Sequence, residues 1–598
     1  MTKDEEKAFN KNLKFFHVIV FLFGILLVFF CVRWQIVEAS KFAKIAKDRI
    51  VSNRIESIRG PIYSADGTIL AFSEPRFDVY LWMDDVIFYE TKGYQTRYEL
   101  ISKISPILGV PTTEIENKIH EFYDKQKIRW IKIANEISYS QWEKMTSLKT
   151  DKYPNLDLRG YSFIYTASRY YPEGRLATHV LGLVNKVNNS LIGVSGLERY
   201  WSEILNPTTG FVIYEQDARG GIVTSSLFPT VEPESGNAIY TNLVTRIQKI
   251  VQHHLKIGVE RYKAKSGTVV IVDPKTGKVL AMANYPDYDP NLRKETDPTV
   301  YGNIAITSPY ENGSTGKALT LAAVIDLNLV NPDTIMPPHE GCIEVVHDLK
   351  PICTYDRRPK GEIPVKECFA TSDNVCFYRL AKMMNVRDFY NYLYAFGAGR
   401  PSGIDLHPAE ESFGYLPPPE KWNLADVAAF SYGQGYQMNS VQAVMAYATI
   451  ANYGVRMKPY IVNKIINSDG QEKVFVPQPI QRVLSEKSTE IVNSMMYYNY
   501  TKSIRPHEHW YAHLRNYKIG VKTGTGEIAF GGRYTDSVNS TLIGYDLSPQ
   551  RAFVMLVRLE DPGVEGADLI ASNNVRLIWL DIFNDIKDIL GIPKMYDY

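Results

Sequence analysis

The 598-residue sequence has little cysteine, no excess of either charge and one long hydrophobic run. Its five cysteines show no zinc-binding spacing, and no Gly-rich phosphate loop, internal repeat or low-complexity linker is evident. Formal net charge is +1, which leaves no basic stripe for nucleic acid. At roughly 150 residues per domain, the length indicates about four domains. We expect a folded, multidomain protein that needs no metal or other cofactor and binds no nucleic acid.

The long hydrophobic run lies near the N-terminus. A polar tail at 1–14 precedes FFHVIVFLFGILLVFFCV at 15–32, and Trp34 follows as an interfacial anchor. Eighteen residues nearly cross a hydrocarbon core of about 30 Å. A cleaved signal peptide has a shorter apolar centre, and Ala39-Ser40 is a poor cut site. We predict one uncleaved membrane helix over 15–34. Lys and Arg on both sides leave its orientation open.

The remaining chain has two regions with different patterns. Residues 35–58 keep helical spacing and predict a continuation of the membrane helix. The rest of 35–240 mixes strands with short helices, which predicts a pedestal domain of mixed α/β structure. Residues 241–598 begin with an amphipathic helix and a hairpin, continue with long helices and end in strands and a helix. That order predicts an α+β domain with an antiparallel sheet flanked by helices.

Four cysteines lie close together in the second region. Cys342 and Cys353 bracket a ten-residue segment, and Cys368 and Cys376 follow. If this region is exported, a Cys342–Cys353 bridge is one state, and free buried thiols are the other. Sequence cannot decide between them.

Ser314 and Lys317 form a Ser-x-x-Lys motif at the start of a predicted helix. A serine in this place usually caps the helix. Lys317, however, lies one turn further along the same face and can reach the Ser314 hydroxyl. Alone, the motif is weak evidence for a nucleophile and its base.

Two further motifs strengthen the second interpretation. Ser372-Asp373-Asn374 precedes a predicted helix, and Lys522-Thr523-Gly524-Thr525 lies in a predicted strand. Ser-x-x-Lys, Ser-x-Asn and Lys-Thr-Gly, in this order, form the active-site signature of penicillin-interacting serine acyltransferases. Ser-x-x-Lys occurs only at Ser314, but the other two motifs have decoys, which are Ser537-Val538-Asn539, Ser572-Asn573-Asn574 and Lys275-Thr276-Gly277. The decoys lack the right order or context.

Acyl transfer gives each motif a role. Ser314 would be the nucleophile, and Lys317 would be its base if burial and the Lys522 charge keep it neutral. Ser372 would relay the proton, and Asn374 would hold the substrate amide. The N–H groups of Ser314 and Thr525 would bind the oxyanion. We expect Lys522, Thr523 and Thr525 to bind a terminal carboxylate, and Gly524 to admit the substrate backbone.

The chain resembles the class B penicillin-binding proteins, and the resemblance extends from the membrane run to about residue 562. It rests on the triplet and on further blocks, among them RGPIYSADGTILA at 59–71, GVSGLERYWSEIL at 193–205 and SYGQGYQMNSVQAVMAYATIANYG at 431–454. The resemblance implies a serine β-lactamase-like transpeptidase domain outside the cell membrane and a cytoplasmic N-terminus. It also implies peptidoglycan stem peptides as substrate, with a polytopic glycan polymerase and other cell-wall synthesis proteins as partners. The C-terminal segment is most similar to the septal type.

The same resemblance leaves alternatives. An elongation-type transpeptidase, a D,D-carboxypeptidase, a β-lactamase and a non-catalytic scaffold that binds β-lactams or muropeptides all remain open. The chain has Asn312-Gly313-Ser314-Thr315-Gly316-Lys317 where the family usually has Pro-Gly-Ser-Thr-Phe-Lys. We expect the absence of this Pro and Phe to loosen the local packing but to leave the reacting groups in place.

Two other polar clusters have structural interpretations. We expect Arg59, Arg169, Glu198 and Arg199 to hold the membrane-proximal domain together by charge pairing. His507, His509 and His513 suggest a metal site less well than a solvated loop, because a third suitably placed ligand is not apparent.

Overall fold

The computed structural model describes residues 3–41, 44, 50–55, 57–187, 190–216, 222–223, 231–347, 350–504, 509–530, 533–564, 566, 571 and 573–595. The chain divides into two compact units. The first unit combines Met1–Ser57 with Pro207–Glu234, and the second combines Ile58–Asn206 with Ser235–Tyr598.

The helices and strands are numbered separately in chain order. The helices are α1 (Lys3–Val32), α2 (Met83–Thr91), α3 (Arg97–Leu108), α4 (Thr112–Lys118), α5 (Tyr139–Thr146), α6 (Thr178–Leu181), α7 (Gly196–Tyr200), α8 (Ser202–Leu205), α9 (Thr245–Arg261), α10 (Ile304–Thr307), α11 (Lys317–Asp326), α12 (Val365–Ala370), α13 (Asn374–Lys382), α14 (Val386–Phe396), α15 (Leu424–Ser431), α16 (Ser440–Ala451), α17 (Glu486–Asn499) and α18 (Val575–Ile586). The strands are β1 (Ile50–Ile55), β2 (Ile62–Tyr63), β3 (Ile69–Trp82), β4 (Trp130–Ile137), β5 (Tyr161–Tyr170), β6 (Val184–Val187), β7 (Ser190–Gly193), β8 (Gly210–Gln216), β9 (Ile222–Val223), β10 (Ala238–Thr241), β11 (Ala264–Val272), β12 (Val279–Tyr285), β13 (Tyr310–Glu311), β14 (Ile335–Met336), β15 (Cys342–Ile343), β16 (Ile352–Cys353), β17 (Ile363–Pro364), β18 (Gln437–Met438), β19 (Val455–Met457), β20 (Val462–Ile466), β21 (Glu472–Val474), β22 (Pro479–Arg482), β23 (Ile519–Phe530), β24 (Arg533–Asp546) and β25 (Val554–Pro562).

The first unit contains the apolar helix and a small sheet. Within the described residues, Phe9–Val37 is the one helical stretch long and apolar enough to cross a membrane, with a mean hydropathy of 2.9. The predicted helical continuation over 35–58 is wrong at 50–55. These residues form β1, which pairs antiparallel with β8. The β-branched residues Ile50, Val51 and Ile55 favour a strand, and the partner strand outweighs their helical spacing.

In the second unit, a seven-stranded sheet dominates the N-terminal half. Its order is β21-β20-β10-β2-β3-β4, and β5 pairs with the far part of β3. The β10–β2 pair is parallel, whereas the β2–β3 and β3–β5 pairs are antiparallel. Helices pack on one face of β3 and β4 through a cluster that includes Leu81, Ile104 and Ile131. This part has the mixed α/β character that the sequence predicts. The sheet also takes β20 and β21 from beyond residue 241.

A five-stranded sheet organises the C-terminal half. Its order is β12-β11-β25-β24-β23, and every neighbouring pair is antiparallel. One face packs against α9 and α18 through residues such as Val251, Val557 and Trp579. The other packs against α11, α16 and α17 in a second large apolar cluster. The predicted α+β sheet with helices on both faces is confirmed, and β23 forms its edge.

Candidate active site

Ser314 lies in the middle of a 3-10 turn, Gly313–Thr315, that leads directly into α11. Gly313 has φ +52°, a conformation that glycine adopts without steric cost, and its N–H donates to the carbonyl of Gly433 at 3.0 Å. A Cβ atom on Gly313 would lie 2.6 Å from the carbonyl oxygen of Thr525. Glycine at this position therefore brings the serine turn against strand β23.

Lys317 is the first residue of α11 and is fully buried. Its Nζ atom lies 3.0 Å from Ser314 Oγ, 2.7 Å from the carbonyl oxygen of Ser372, 3.0 Å from Ser372 Oγ and 2.6 Å from Asn374 Oδ1. The carbonyl and Oδ1 atoms can accept N–H groups but cannot donate. A neutral amine can satisfy both of them and still offer its lone pair to a hydroxyl proton.

Both lysines of the site have lowered pKa values. Burial lowers the pKa of Lys317 well below 10.5, the Lys522 charge lowers it further, and Asp373 opposes the shift. Burial lowers the pKa of Lys522 to about 7. Removal from water disfavours an ammonium ion, and a second cation nearby adds repulsion. The site thus favours the neutral form of Lys317.

The segment with Ser372 and Asn374 joins α12 to α13. Ser372 has φ +55°, which is unusual for a residue with a side chain. Asp373 is buried and caps α13, because its Oδ1 accepts the N–H of Cys376 at 2.9 Å. A disulfide between Cys368 and Cys376 links α12 to α13 across this segment. We call residues 371–374 the Ser-Asp-Asn turn.

The third motif lies on the edge strand β23. Lys522 is buried, and its Nζ donates to Ser372 Oγ at 3.1 Å and to the carbonyl of Thr523 at 2.9 Å. Thr523 is half-buried and Thr525 is exposed. A Cβ atom on Gly524 would lie 2.8 Å from both the Asn312 carbonyl oxygen and the Thr315 nitrogen. The missing side chain at Gly524 therefore makes room for the serine turn, a reason that the sequence did not reveal.

The structure thus brings Ser314, Lys317, Ser372, Asn374 and Lys522 into one hydrogen-bonded cluster, with Thr523, Gly524 and Thr525 alongside. The decoys lie elsewhere. Lys275-Thr276-Gly277 forms the turn between β11 and β12, and Ser537-Val538-Asn539 is part of β24. Ser572 lies outside the described residues.

The expectation of loosened packing at Gly316 is wrong. A Cβ atom there would lie 2.6 Å from Gly433 Cα and 2.8 Å from the Tyr436 hydroxyl oxygen. Tyr436 is fully buried. Its side chain occupies the space beside residue 316, so the smaller residue is matched by a large neighbour and the packing stays dense.

Two contacts to the Ser-Asp-Asn turn were not foreseen from the sequence. His339 bonds Asp373, and the carbonyl of Cys353 accepts from Asn374 Nδ2 at 2.9 Å. Cys342 and Cys353 form a disulfide, the bridged alternative of the two that the sequence left open. Asp373 lies within a recognised motif, but no pattern links it to His339, which is 34 residues away.

The cluster of Arg59, Arg169, Glu198 and Arg199 forms ion pairs. Glu198 accepts from Arg59 Nε and Arg169 Nε at 2.7 Å each, and all three side chains are buried. Arg199 Nη1 lies 3.4 Å from Glu410 Oε1. The predicted charge pairing within the membrane-proximal domain is confirmed for Arg59, Arg169 and Glu198. It is wrong for Arg199, because Glu410 lies in the predicted second domain.

The histidine cluster gives a partial result. Nε2 of His513 bonds Asn584 Oδ1 at 2.7 Å. His507 lies outside the described residues, and for His509 the described backbone begins the 3-10 segment His509–Asn516.

Comparison with known proteins identifies the class of the fold and site. Residues 267–586 match the family model of the penicillin-binding protein transpeptidase domain, and residues 54–241 match that of the penicillin-binding protein dimerisation domain. The first match alone covers more than half of the chain. The chain therefore belongs to the penicillin-binding protein family and carries a transpeptidase domain.

Several relatives are similar over most of their length. Stage V sporulation protein D of Bacillus subtilis is 26% identical over 533 residues, which cover 88% of this chain and 78% of that protein. Peptidoglycan D,D-transpeptidase FtsI of Escherichia coli is 26% identical over 512 residues, covering 85% of this chain and 80% of that protein. The class B resemblance inferred from the motifs is thus confirmed.

The fold is shared with solved structures as well. Penicillin-binding protein 2X from Streptococcus thermophilus superposes with a TM-score of 0.72 at 22% identity, covering 91% of this chain and 81% of that one. A peptidoglycan synthetase from Bifidobacterium adolescentis gives a TM-score of 0.69 at 20% identity, covering 91% of this chain and 98% of that one.

Proposed function

We propose that this transpeptidase cross-links peptidoglycan stem peptides through an ester on Ser314 and acts in septal wall synthesis. The proposal includes a cytoplasmic tail at 1–14, a membrane helix at 15–34, a pedestal at 35–240 and an extracytoplasmic transpeptidase domain at 241–598. The apolar helix Phe9–Val37 supports the anchor. Similarity to the E. coli transpeptidase FtsI supports the septal role.

One observation carries the catalytic proposal: buried Lys317 Nζ lies 3.0 Å from Ser314 Oγ and contacts both residues of the second motif. A serine that only capped its helix would not need a desolvated amine within hydrogen-bond distance. An amine whose pKa is lowered by burial can take the serine proton near neutral pH. The geometry therefore supports Ser314 as nucleophile and Lys317 as base.

In the acylation step, Ser314 Oγ attacks the carbonyl carbon between the two D-alanines, and its proton passes to Lys317 Nζ. The negative charge on the carbonyl oxygen would be bound by the backbone N–H groups of Ser314 and Thr525. The C–N bond then breaks. The leaving D-alanine takes a proton from Lys317 through Ser372 Oγ, which lies 3.0 Å from Lys317 Nζ and 3.1 Å from Lys522 Nζ.

The second step reverses the first with a new amine. An amine of a neighbouring stem peptide attacks the ester carbonyl and gives a proton to Lys317. The C–O bond breaks, and Ser314 regains its proton. The product is an amide between two stems, and the enzyme is unchanged. Water in place of the amine would give hydrolysis, which is the carboxypeptidase outcome.

Recognition of the donor peptide would depend on β23. An extended peptide can lie along this edge strand. Lys522 and the hydroxyls of Thr523 and Thr525 would bind its terminal carboxylate, since Lys522 has no carboxylate partner among the ion pairs of the described residues. Asn374 has one N–H on the Cys353 carbonyl and a second N–H for the substrate amide.

Labelling with fluorescent penicillin tests the nucleophile. The full chain in detergent should be labelled, the adduct should map to Ser314 by mass spectrometry, and Ser314→Ala should abolish it. Ser537→Ala, in a decoy motif, should label normally. Lys317→Ala should also stop labelling while the circular dichroism spectrum is unchanged. Label retained by Ser314→Ala would refute the assignment.

A stem-peptide thioester with a D-amino acid acceptor separates the reactions. Exchange of the leaving group for the acceptor supports a transpeptidase. Hydrolysis alone supports a D,D-carboxypeptidase, and no turnover with intact penicillin binding supports a scaffold. Lys522→Ala should weaken the reaction with carboxylate-bearing donors. Lys275→Ala, which changes the exposed lysine of the decoy turn, should not weaken it.

Depletion tests the septal role. Cells depleted of the protein should grow as filaments without septa, whereas rounding would indicate the elongation type. A version without residues 1–34 should still be acylated but should not restore division. The polytopic glycan polymerase proposed as partner should be recovered with the full chain by crosslinking in membranes.

A further inference from the structure

The buried residue His339 contacts the Ser-Asp-Asn turn through Asp373. Its Nε2 atom lies 2.9 Å from Asp373 Oδ2, and the two side chains are 4% and 0% exposed. The backbone of His339 is held in turn, since it pairs with Lys360 through hydrogen bonds of 3.0 and 2.9 Å. Asp373 thus contacts a side chain whose backbone is held in place by Lys360.

The hydrogen bonds define the protonation of the ring. The N–H of Gly341 donates to His339 Nδ1 at 3.1 Å, so Nδ1 acts as an acceptor and carries no proton. Nε2 then carries the proton and donates it to the Asp373 carboxylate. The ring is neutral in this arrangement, and its two nitrogens join two parts of the chain in a fixed orientation.

Asp373 connects this contact to the reacting groups. One carboxylate oxygen caps α13, and the other accepts the hydrogen bond from His339 Nε2. The residues on either side of it, Ser372 and Asn374, both contact Lys317 Nζ. Ser372 also has a positive φ of 55°, a conformation that persists where the surroundings fix it. A shift of Asp373 would therefore move both contacts of Lys317 together.

The segment 339–353, which begins with His339, contacts the Ser-Asp-Asn turn at a second point. Asn374 Nδ2 donates to the carbonyl of Cys353, and the disulfide between Cys353 and Cys342 closes the hairpin of β15 and β16. The turn is thus supported from outside by one side chain and one carbonyl.

We propose that His339 is a positioning residue for acylation: through its hydrogen bond to Asp373 it orients Ser372 and Asn374 toward Lys317. This proposal rests on the proposed function, because it assigns a role in the Ser314 reaction. A histidine that served stability alone would affect melting but would leave the acylation rate of the folded protein unchanged.

Two substitutions separate the functions of the ring nitrogens. In His339→Gln the side-chain amide can reach Asp373 in place of Nε2, but the acceptor for Gly341 is lost. In His339→Asn the shorter amide oxygen can replace Nδ1, but the donor for Asp373 is lost. Each variant thus keeps one of the two hydrogen bonds of His339, so each serves as the control for the other.

The measurement is the limiting acylation rate of the full chain in detergent by fluorescent penicillin, together with the dissociation constant of the complex before acylation. We expect His339→Asn to lower the limiting rate about 10- to 100-fold. The dissociation constant should change by less than about 3-fold, because the groups proposed to bind the carboxylate lie on β23. His339→Gln should stay within about 3-fold of wild type in both values, on the same reasoning.

A double-mutant cycle tests whether the effect passes through Asp373. Asp373→Asn keeps an oxygen for the α13 cap but presents an N–H to a ring that also donates. It should itself acylate slowly, and in its background His339→Gln and His339→Asn should differ in rate by much less than they do with Asp373 present. A difference in that background as large as the one with Asp373 present would overturn the proposal.

Three other results would overturn the proposal: wild-type acylation by His339→Asn, equal loss in the Asn and Gln variants, or a normal rate in Asp373→Asn. The last comparison decides the case if His339→Asn fails to fold by circular dichroism. Failure of the proposed function looks different, because the wild-type chain would then carry no penicillin on Ser314.

Discussion

The amine of Lys317 lies 3.0 Å from the hydroxyl of Ser314, and its side chain has no exposed surface. Burial gives this pair its chemistry, because an amine in water at neutral pH is almost entirely protonated and cannot act as a base. This ionisable group is buried beside two charged side chains, of which Lys522 lowers its pKa and Asp373 raises it.

The lowered pKa values predict the pH dependence of acylation. Lys317 is an active base above its pKa in the folded protein, so the rate should fall as pH decreases through that value, far below 10.5. Lys522 loses its positive charge as pH rises through about 7. Affinity for a ligand with a carboxylate should therefore weaken above pH 7, and affinity for its methyl ester should not.

Stopped-flow acylation by a penicillin and by its methyl ester measures both the fall in rate at low pH and the fall in affinity above pH 7. Lys522→Arg keeps a positive charge at all these pH values and should remove the alkaline decline in affinity. The same decline for acid and ester would show that Lys522 does not bind the carboxylate.

Close contact at Gly524 predicts that a single methyl group disrupts the site. In Gly524→Ala the new Cβ would lie 2.8 Å from backbone atoms of Asn312 and Thr315, so the serine turn has to move. We expect a loss of about 1–3 kcal/mol in unfolding free energy and a fall of about 10-fold or more in acylation rate. Denaturant unfolding and penicillin labelling measure the two effects.

Gly361→Ala is the matched control. No atom lies within 4 Å of a Cβ built at Gly361, and this residue is exposed. It should match wild type in both measurements. Normal acylation by Gly524→Ala would mean that the turn tolerates displacement.

The Glu198 cluster predicts a large effect on stability without an effect on chemistry. Burial alone would raise the pKa of Glu198, but Arg169 and Arg59 hold it below 4.5. Glu198→Gln leaves the two arginines buried without their anion, and we expect a loss of about 3–5 kcal/mol. In the wild type, the stability due to this carboxylate should be lost as pH falls below 4.5.

Exposed Glu203 provides the control, because Glu203→Gln should unfold like the wild type. Acylation per folded molecule should be unchanged in both variants. A slower reaction in folded Glu198→Gln would show that the N-terminal half affects the catalytic centre.

The two disulfides predict a specific peptide map. Digestion without reduction should yield Cys342 linked to Cys353 and Cys368 linked to Cys376, with Cys31 free. Replacing Cys368 and Cys376 with alanine should cost about 2–3 kcal/mol, because the closed loop is short. It should also slow acylation, since this bridge supports the Ser-Asp-Asn turn. Cys31→Ser should have neither effect.

Sequence reasoning predicted the groups that carry known motifs. The order and spacing of Ser314, Ser372 and Lys522 predicted one cluster, and the structure forms it. The reason is that each motif lies at the start of a helix or on a strand whose periodicity is clear. The α+β fold followed from the same patterns, and so did the hairpin of β11 and β12.

Other features depend on contacts that no local pattern contains. His339 contacts Asp373 across 34 residues of chain, and Tyr436 fills space beside Gly316 from 120 residues away along the chain. Residues 50–55 are a strand because β8 pairs with them. Tertiary partners decide all three, and a single sequence does not name those partners.

The order of the five-stranded sheet has a consequence for synthesis of the chain. Strand β25, at Val554–Pro562, lies between β11 and β24 and is the last of the described strands to leave the ribosome. Until it emerges, no described strand of the sheet joins the hairpin that carries Lys522 to the hairpin made about 250 residues earlier. We therefore expect a chain that stops before residue 554 to lack acylation activity, because the strand that joins the two hairpins is missing.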